Sequence, residues 1–153
     1  MHLTTLALAA TASLASLAHA ASSAIIVNHC NTTIYLWSVG STVGPQVTIA
    51  PNASYTEPFR VDRGSGGIAL KITRVKYGLY TGEPQTILAY SLQGDQIWYG
   101  PSDIFGDPFH GSRVELVPSD GSCGSITWEH GVPSGGSEVR ACQSGTDLTL
   151  TTC

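Results

Sequence analysis

The sequence has few charged residues, no basic cluster and no familiar catalytic motif. Asp, Glu, Lys and Arg make up only 12% of its 153 residues, and the net charge is −4. That balance, without a run of Lys or Arg, argues against nucleic acids and anionic membranes as partners. No H-E-x-x-H, G-x-S-x-G, phosphate-binding loop or dinucleotide fingerprint occurs. We therefore expect no metal and no cofactor, and the sequence leans away from an enzyme.

Long apolar stretches are also scarce. The exception is Leu6–Leu17, which precedes the small-residue triplet Ala18-His19-Ala20. An apolar segment of that length before an A-x-A site is typical of a cleaved secretory signal. It is too short, and too rich in Ala, Ser and Thr, to span a bilayer. We predict a signal peptide over residues 1–20 and one secreted domain over residues 21–153.

Helical periodicity is missing after the signal, whereas short β-rich runs are frequent. Gly67–Val75, for example, alternates apolar and polar residues, which is typical of a half-buried strand. About ten such strands, with turns every eight to twelve residues, predict an all-β sandwich or barrel. The runs Ala24–Val27 and Ile34–Trp37 predict a hairpin at the start of the domain. Gly- and Pro-rich composition predicts loops at Gly78–Gln85 and Gly100–Gly111.

All four cysteines lie in the predicted secreted domain. An even number of cysteines in a secreted chain predicts two disulfides. A zinc site needs closely paired ligands, and no C-x-x-C pair occurs. Three pairings are possible and the sequence alone does not choose among them. We favour Cys30–Cys153 together with Cys123–Cys142.

Two N-glycosylation sequons follow the signal, Asn31-Thr32-Thr33 and Asn52-Ala53-Ser54. Asn52 follows Pro51 in a predicted turn, so we expect it to be exposed and glycosylated. Asn31 is adjacent to Cys30, which would restrict access to it.

Several segments, in order along the chain, resemble thaumatin-like proteins. The matching segments are Ala24–Ser38, Leu88–Leu92, Tyr99–Gly106, Cys123 and Leu148–Cys153. The whole domain is more similar still to the fungal Blastomyces yeast-phase-specific protein family, through Tyr35–Gly40, Gly66–Thr73, Gly78–Gln85, Trp98–Phe109 and Asp147–Cys153. This resemblance implies a small thaumatin-like β-sandwich in which the first and last cysteines pair. It also implies a protein that is extracellular or associated with the cell wall.

The resemblance bears on activity as well. Larger thaumatin-like proteins carry an acidic cleft, and some bind or cleave β-1,3-glucans. Glycoside hydrolysis needs two carboxylates, one as acid and one as nucleophile or base. By the resemblance, Ala89 stands where a cleft Glu is usual and Gly100 stands where an Asp is usual. This departure argues against glucanase activity.

The candidate ligand site combines aromatic and acidic residues of the two predicted loops, namely Tyr77, Tyr80, Glu83, Asp103 and Asp107. Aromatic faces stack on sugar rings, and exposed ones would form a glycan-binding strip. The simpler interpretation of the two aspartates is that each caps a turn through its own backbone. The strand aromatics Tyr35 and Trp37 are better explained as core residues.

Three functions fit these observations. We expect a monomeric, non-catalytic protein that binds cell-wall polysaccharide such as β-glucan. A second hypothesis is a weak β-1,3-glucanase that uses Asp103, Asp107 or Glu83. A third is a secreted effector or inhibitor that recognises a host or microbial protein.

Overall fold

The computed structural model describes residues 22–135 and 138–153, and the predicted signal peptide lies outside them. Within these residues the chain forms eleven strands and one short helix. In order they are β1 (Ser23–Asn28), β2 (Ile34–Val39), β3 (Val47–Ile49), β4 (Ser54–Pro58), β5 (Ile68–Thr73), α1 (Gly78–Thr81), β6 (Gln85–Gln93), β7 (Gln96–Ile104), β8 (Val114–Pro118), β9 (Ile126–Trp128), β10 (Arg140–Gln143) and β11 (Leu148–Thr152).

The strands form two sheets, so the predicted all-β sandwich is confirmed. The five-stranded sheet has the order β4-β1-β11-β8-β9, and the six-stranded sheet has the order β10-β7-β6-β5-β2-β3. Neighbouring strands are antiparallel except β1 and β11, which run parallel side by side. The two ends of the domain therefore meet inside one sheet.

The core lies between the sheets, where alternate residues of each strand point inward. In β1 the buried residues are Ala24, Ile26 and Asn28, and in β11 they include Leu148 and Leu150. This period of two is the alternation that the sequence displays, and burial of these apolar side chains is the main force holding the sheets together. Large aromatic side chains fill the remaining space, among them Trp128, Tyr99 and Phe109.

The hairpin predicted from Ala24–Val27 and Ile34–Trp37 is wrong. β1 pairs with β4 and β11, whereas β2 pairs with β3 and β5 in the other sheet. The connection crosses the sandwich, and the buried Asn28 amide holds it by donating to the carbonyl oxygens of Thr32 and Ile49 at 2.9 Å each. Sequence proximity does not reveal this, because the pattern of β2 suits either sheet.

The loop predicted over Gly100–Gly111 is wrong in its first part, where β7 continues to Ile104. Pro101 pairs with Leu88 of β6, while β10 pairs with β7 only as far as Tyr99. One side of β7 is therefore open at Pro101, and proline is tolerated in strands at such edge positions.

Both predicted disulfides are confirmed. Cys30 bonds to Cys153 with 4.9 Å between Cα atoms, and Cys123 bonds to Cys142 with 5.7 Å. The first joins the β1–β2 connection to the end of β11. Within the described part of the chain, no helix has the length and hydropathy needed to cross a bilayer.

The connections between strands lie at two ends of the sandwich. The end that we call the Cys30 pole holds residues 29–33, 50–53, 74–84 and 105–113. The end that we call the Asp62 pole holds residues 40–46, 59–67, 94–95 and 119–125. Both assignments follow from strand order and register.

Candidate functional site

A cleft of about 650 Å³ lies on the outer face of the six-stranded sheet, towards the Asp62 pole. Its floor is a row of small side chains that lie opposite one another on adjacent strands, namely Val39, Ala69, Ala89 and Gly100. These residues alternate with inward-facing ones such as Leu88, so they point away from the core. The positions that the resemblance relates to an acidic cleft, 89 and 100, thus lie side by side on a neutral floor.

One wall of the cleft is a loop held by Asp62. The carboxylate accepts hydrogen bonds from the N–H and hydroxyl of Ser41, both at 2.8 Å. It also accepts from the N–H groups of Gly64 and Ser65, at 2.9 and 3.0 Å. These donors belong to two different connections, so Asp62 ties the β2–β3 loop to the β4–β5 loop. The Ser41 N–H is the foremost reason that the pKa of Asp62 lies well below its usual range.

Glu138 and Val139 form the opposite wall. A Cβ atom on Gly100 would lie 2.6 Å from the Glu138 carbonyl oxygen, so only glycine allows this close approach. The Glu138 carboxylate accepts from the Trp128 indole N–H and, at 2.6 Å, from the Ser134 hydroxyl. Its hydrogen bonds therefore go to the protein itself.

The floor of the cleft is neutral, and its lining is partly aromatic. Trp98 lies on its lining and is 41% exposed, although it is part of strand β7. Ser91 and Ser102 supply hydroxyl groups nearby. Among the described lining residues Glu138 is the sole carboxylate, whereas glycoside hydrolysis needs two about 5–9.5 Å apart. The arrangement suits binding of an uncharged chain by stacking and hydrogen bonding.

The predicted aromatic residues Tyr77 and Tyr80 lie on and beside α1, with 56% and 68% of their surface exposed. α1 covers the outer face of the six-stranded sheet at the Cys30 pole. Tyr80 meets Trp37 edge to face, with 6.1 Å between ring centroids. Trp37 is fully buried as predicted, but under α1 and outside the cluster between the sheets.

The predicted acids lie at the same pole. The two predicted loops meet where Pro84 faces Gly106, so Glu83 and Asp107 are at one end of the β6–β7 pair. Asp103 is different, because it belongs to β7 and faces inward beside Thr86, whose hydroxyl donates to its carboxylate at 2.6 Å. The interpretation of Asp103 as a turn cap is therefore wrong.

Asp107 lies near enough to Asp103 to raise the pKa of the Asp103 carboxyl. The Asp103 Oδ2 atom is buried and has no hydrogen-bond partner. Burial is the main reason that the pKa of Asp103 is raised to about 7, and the nearby Asp107 adds to it while the Thr86 hydroxyl opposes it. The fold therefore favours the protonated form of the Asp103 carboxyl.

The sequence did not single out two residues that shape the cleft, Trp98 and Asp62. Asp62 is followed by Arg63, Gly64 and Ser65, a composition in which an aspartate commonly bonds to the backbone two residues on. This turn composition could therefore have predicted that Asp62 holds the loop. Trp98 could not be assigned, because the side of a strand that faces solvent depends on which sheet covers it.

Comparison with known proteins places the chain in a family. The sequence model of the Blastomyces yeast-phase-specific protein (Bys1) family matches residues 11–153. The chain belongs to the Bys1 family.

Relatives of this Bys1 protein include the antigenic thaumatin-like protein of Arthroderma benhamiae, 29% identical over 139 residues, which are 84% of this chain and 69% of that one. The secreted thaumatin-like protein calA of Emericella nidulans is 28% identical over 137 residues, which are 82% and 78% of the two chains. The Bys1 protein is thus a secreted, thaumatin-like protein of fungal type, as its sequence predicts.

Two solved structures share the fold. The protein elicitor MoHrip2 of Magnaporthe oryzae superposes with a TM-score of 0.72 at 26% identity, over 87% of this chain and 99% of the elicitor. The thaumatin-like xylanase inhibitor TLXI superposes with a TM-score of 0.62 at 16% identity, over 85% and 98%. At this identity, the likeness to the xylanase inhibitor shows only that the two proteins share a fold.

Proposed function

We propose that this Bys1 protein is a non-catalytic binding protein that holds an uncharged glycan chain, such as β-1,3-glucan, in the cleft above Ala69, Ala89 and Gly100. The observation that carries the proposal is the cleft itself, which is open, about 650 Å³ in volume and floored by small neutral residues. A sugar chain presents apolar ring faces and many hydroxyl groups. Trp98 offers the stacking surface, and Ser91 and Ser102 offer hydrogen bonds.

The acidic residues support a binding role over catalysis. The Asp103 carboxyl faces inward beside Thr86, and Asp107 is its close neighbour. Two carboxylates that flank a glycosidic bond need a gap wide enough for the sugar, about 5 Å or more. The glucanase hypothesis with Asp103, Asp107 or Glu83 is therefore the less favoured one.

Tyr77 and Tyr80 offer a competing binding surface, so the experiment must separate two locations. Purified protein is incubated with insoluble β-1,3-glucan, and the bound fraction is measured over a range of glucan concentrations. Trp98→Ala should weaken retention about fivefold, since loss of a stacked ring costs about 1 kcal/mol. Tyr77→Ala is the matched control, because it removes an exposed aromatic ring outside the cleft and should leave retention unchanged.

The opposite pattern, with Tyr77→Ala weakened and Trp98→Ala unchanged, would place the ligand at the Cys30 pole and overturn the cleft assignment. The supernatant of the same incubation is assayed for reducing sugar. Release that disappears in Asp103→Asn or Asp107→Asn would establish catalysis and refute the binding-only role.

The likeness to a protein elicitor favours a second candidate, in which the protein faces a host and is recognised by a protein. This candidate predicts no retention on glucan for any variant. It also predicts a discrete partner that cross-links to the wild-type protein in host or microbial extracellular fluid.

A further inference from the structure

We propose that the protein carries two N-linked glycans, on Asn31 and Asn52, and that both occupy the Cys30 pole and leave the cleft open. This proposal does not depend on the identity of the cleft ligand. It rests on the exposure of the two sequons, on the contacts that join them and on the register of the strands.

Both sequons are accessible in the folded protein. Asn31 and Thr32 are exposed, although the adjacent Cys30 is buried, so the access problem expected from the sequence does not arise. Asn52 is exposed in a turn closed by the N–H of Ala53 donating to the Ala50 carbonyl oxygen at 3.1 Å. Its backbone φ of 60° is left-handed, which asparagine tolerates better than most residues.

The modification is a group transfer from a lipid-linked oligosaccharide diphosphate of the secretory pathway. The side-chain amide nitrogen of asparagine forms a bond to the anomeric carbon of the oligosaccharide and loses one proton. The bond between that carbon and phosphate breaks, and the lipid diphosphate leaves. A secreted chain meets this donor before it has folded completely.

Asn28 holds the two sequons close together. Its side-chain amide donates to the Thr32 carbonyl oxygen at 2.9 Å, and its backbone carbonyl oxygen accepts from the Asn52 N–H at 2.7 Å. Asn28 is fully buried, and Cys30 rather than Ser or Thr stands two residues after it, so Asn28 is not a third site. The two glycans would therefore lie on one patch.

The register places this patch away from the cleft. The Asn31 sequon precedes Ile34, where β2 begins, and the cleft floor starts at Val39, where β2 ends. Five residues of strand at roughly 3.3 Å each separate these levels by about 17 Å. The Thr32 hydroxyl instead accepts from the Arg74 guanidinium at 3.0 Å, which sets the Asn31 glycan beside the connection that leads to Tyr77.

The first test is the mass of protein secreted by a eukaryotic host, before and after enzymatic removal of N-glycans. We expect a loss that corresponds to two glycans. Thr33→Ala and Ser54→Ala each destroy one sequon and keep the asparagine, so each should lower the loss to one glycan. A folded, secreted wild-type protein with fewer than two glycans would overturn the proposal.

The second test asks where the glycans lie. The sequence has three tryptophans, and Trp37 and Trp128 are buried while Trp98 is exposed at the cleft, so collisional quenching by acrylamide reports mainly on Trp98. The quenching constant should be the same before and after glycan removal. A rise after removal would mean that a glycan covers the cleft, which contradicts the proposed placement whatever the ligand is.

Discussion

Asp103 is the residue whose ionisation the fold opposes most clearly. It lies in β7 with its carboxyl group turned inward, and its neighbours are the Thr86 hydroxyl and the Asp107 carboxyl. Burial and Asp107 together favour the protonated form of Asp103. By contrast, the pKa values of the half-buried Asp62 and the exposed Asp120 are lowered, chiefly by backbone N–H donors. The same side chain thus has opposite acid–base behaviour in the two settings.

The folded pKa of Asp103, about 7, lies above its ordinary value of 3.8, so the folded state binds this proton more tightly than the unfolded chain does. Its contribution to stability is complete below pH 4 and is lost as the pH rises to about 7. Asp103→Asn removes this loss, because an amide stays neutral and donates to Asp107. At pH 8 the variant should be more stable than the wild type by about 1–2 kcal/mol, a figure reduced for partial solvent exposure.

Urea denaturation at pH 5, 6, 7 and 8 measures this effect. Asp120→Asn serves as the control, since the Asp120 carboxyl stays ionised throughout that range. Equal slopes of unfolding free energy against pH in wild type and Asp103→Asn would show that Asp103 does not titrate there.

At the scale of elements, strands form the floor of the cleft, and the β4–β5 loop forms one of its walls. The Asp62 carboxylate has four hydrogen-bond donors from Ser41, Gly64 and Ser65. Gly66 and Gly67, which follow, line the cleft. Because the pKa of Asp62 is well below its usual range, the carboxylate keeps these bonds in acidic surroundings.

Asp62→Ala should detach the β2–β3 loop from the β4–β5 loop. We expect faster hydrogen exchange at the amides of Ser41, Gly64 and Ser65, and weaker retention on β-1,3-glucan. Asp120→Ala is matched to it, since Asp120 accepts from the N–H and hydroxyl of Ser122 within a single loop. That control should speed exchange at Ser122 only. Unchanged exchange at Ser41 in Asp62→Ala would show that the two loops hold their positions without the carboxylate.

The elements themselves could be predicted better than their pairing. Alternation located β5 within a residue or two, because one face of that strand is buried and the other is partly exposed. The sequence did not predict that β1 and β2 belong to different sheets. Their connection crosses the sandwich and is held by the buried Asn28 amide. The cleft could not be predicted from the sequence either. Its floor takes one residue from each of four strands, and their alignment depends on the register of the sheet.

At the scale of the whole molecule, the two disulfides close loops of very different length. Cys30 and Cys153 are 123 residues apart, and Cys123 and Cys142 are 19 apart. A longer closed loop removes more conformational freedom from the unfolded chain. The pairing of the first and last cysteines was predictable from the family resemblance, whereas the parallel contact of β1 with β11 beside it was not.

Replacing Cys30 and Cys153 together by alanine should lower the free energy of unfolding by about 5 kcal/mol, and replacing Cys123 and Cys142 by about 3 kcal/mol. Guanidinium denaturation of both double variants gives the two values. A larger loss from the Cys123–Cys142 pair would show that native contacts around that bridge, and not loop length, decide its effect.

The contact of β1 with β11 has a consequence for biosynthesis. β1 reaches the secretory compartment early, but its parallel partner arrives only when residues 148–152 have been translated. Register partners such as Ala24 and Leu148 are 124 residues apart (148 − 24), so synthesis at 5–20 residues per second gives a delay of roughly 6–25 s. During that interval β1 can pair with β4, but its other edge keeps unpaired backbone groups, which favours aggregation. The yield of secreted protein should therefore depend on how well the emerging chain is shielded until β11 has been translated.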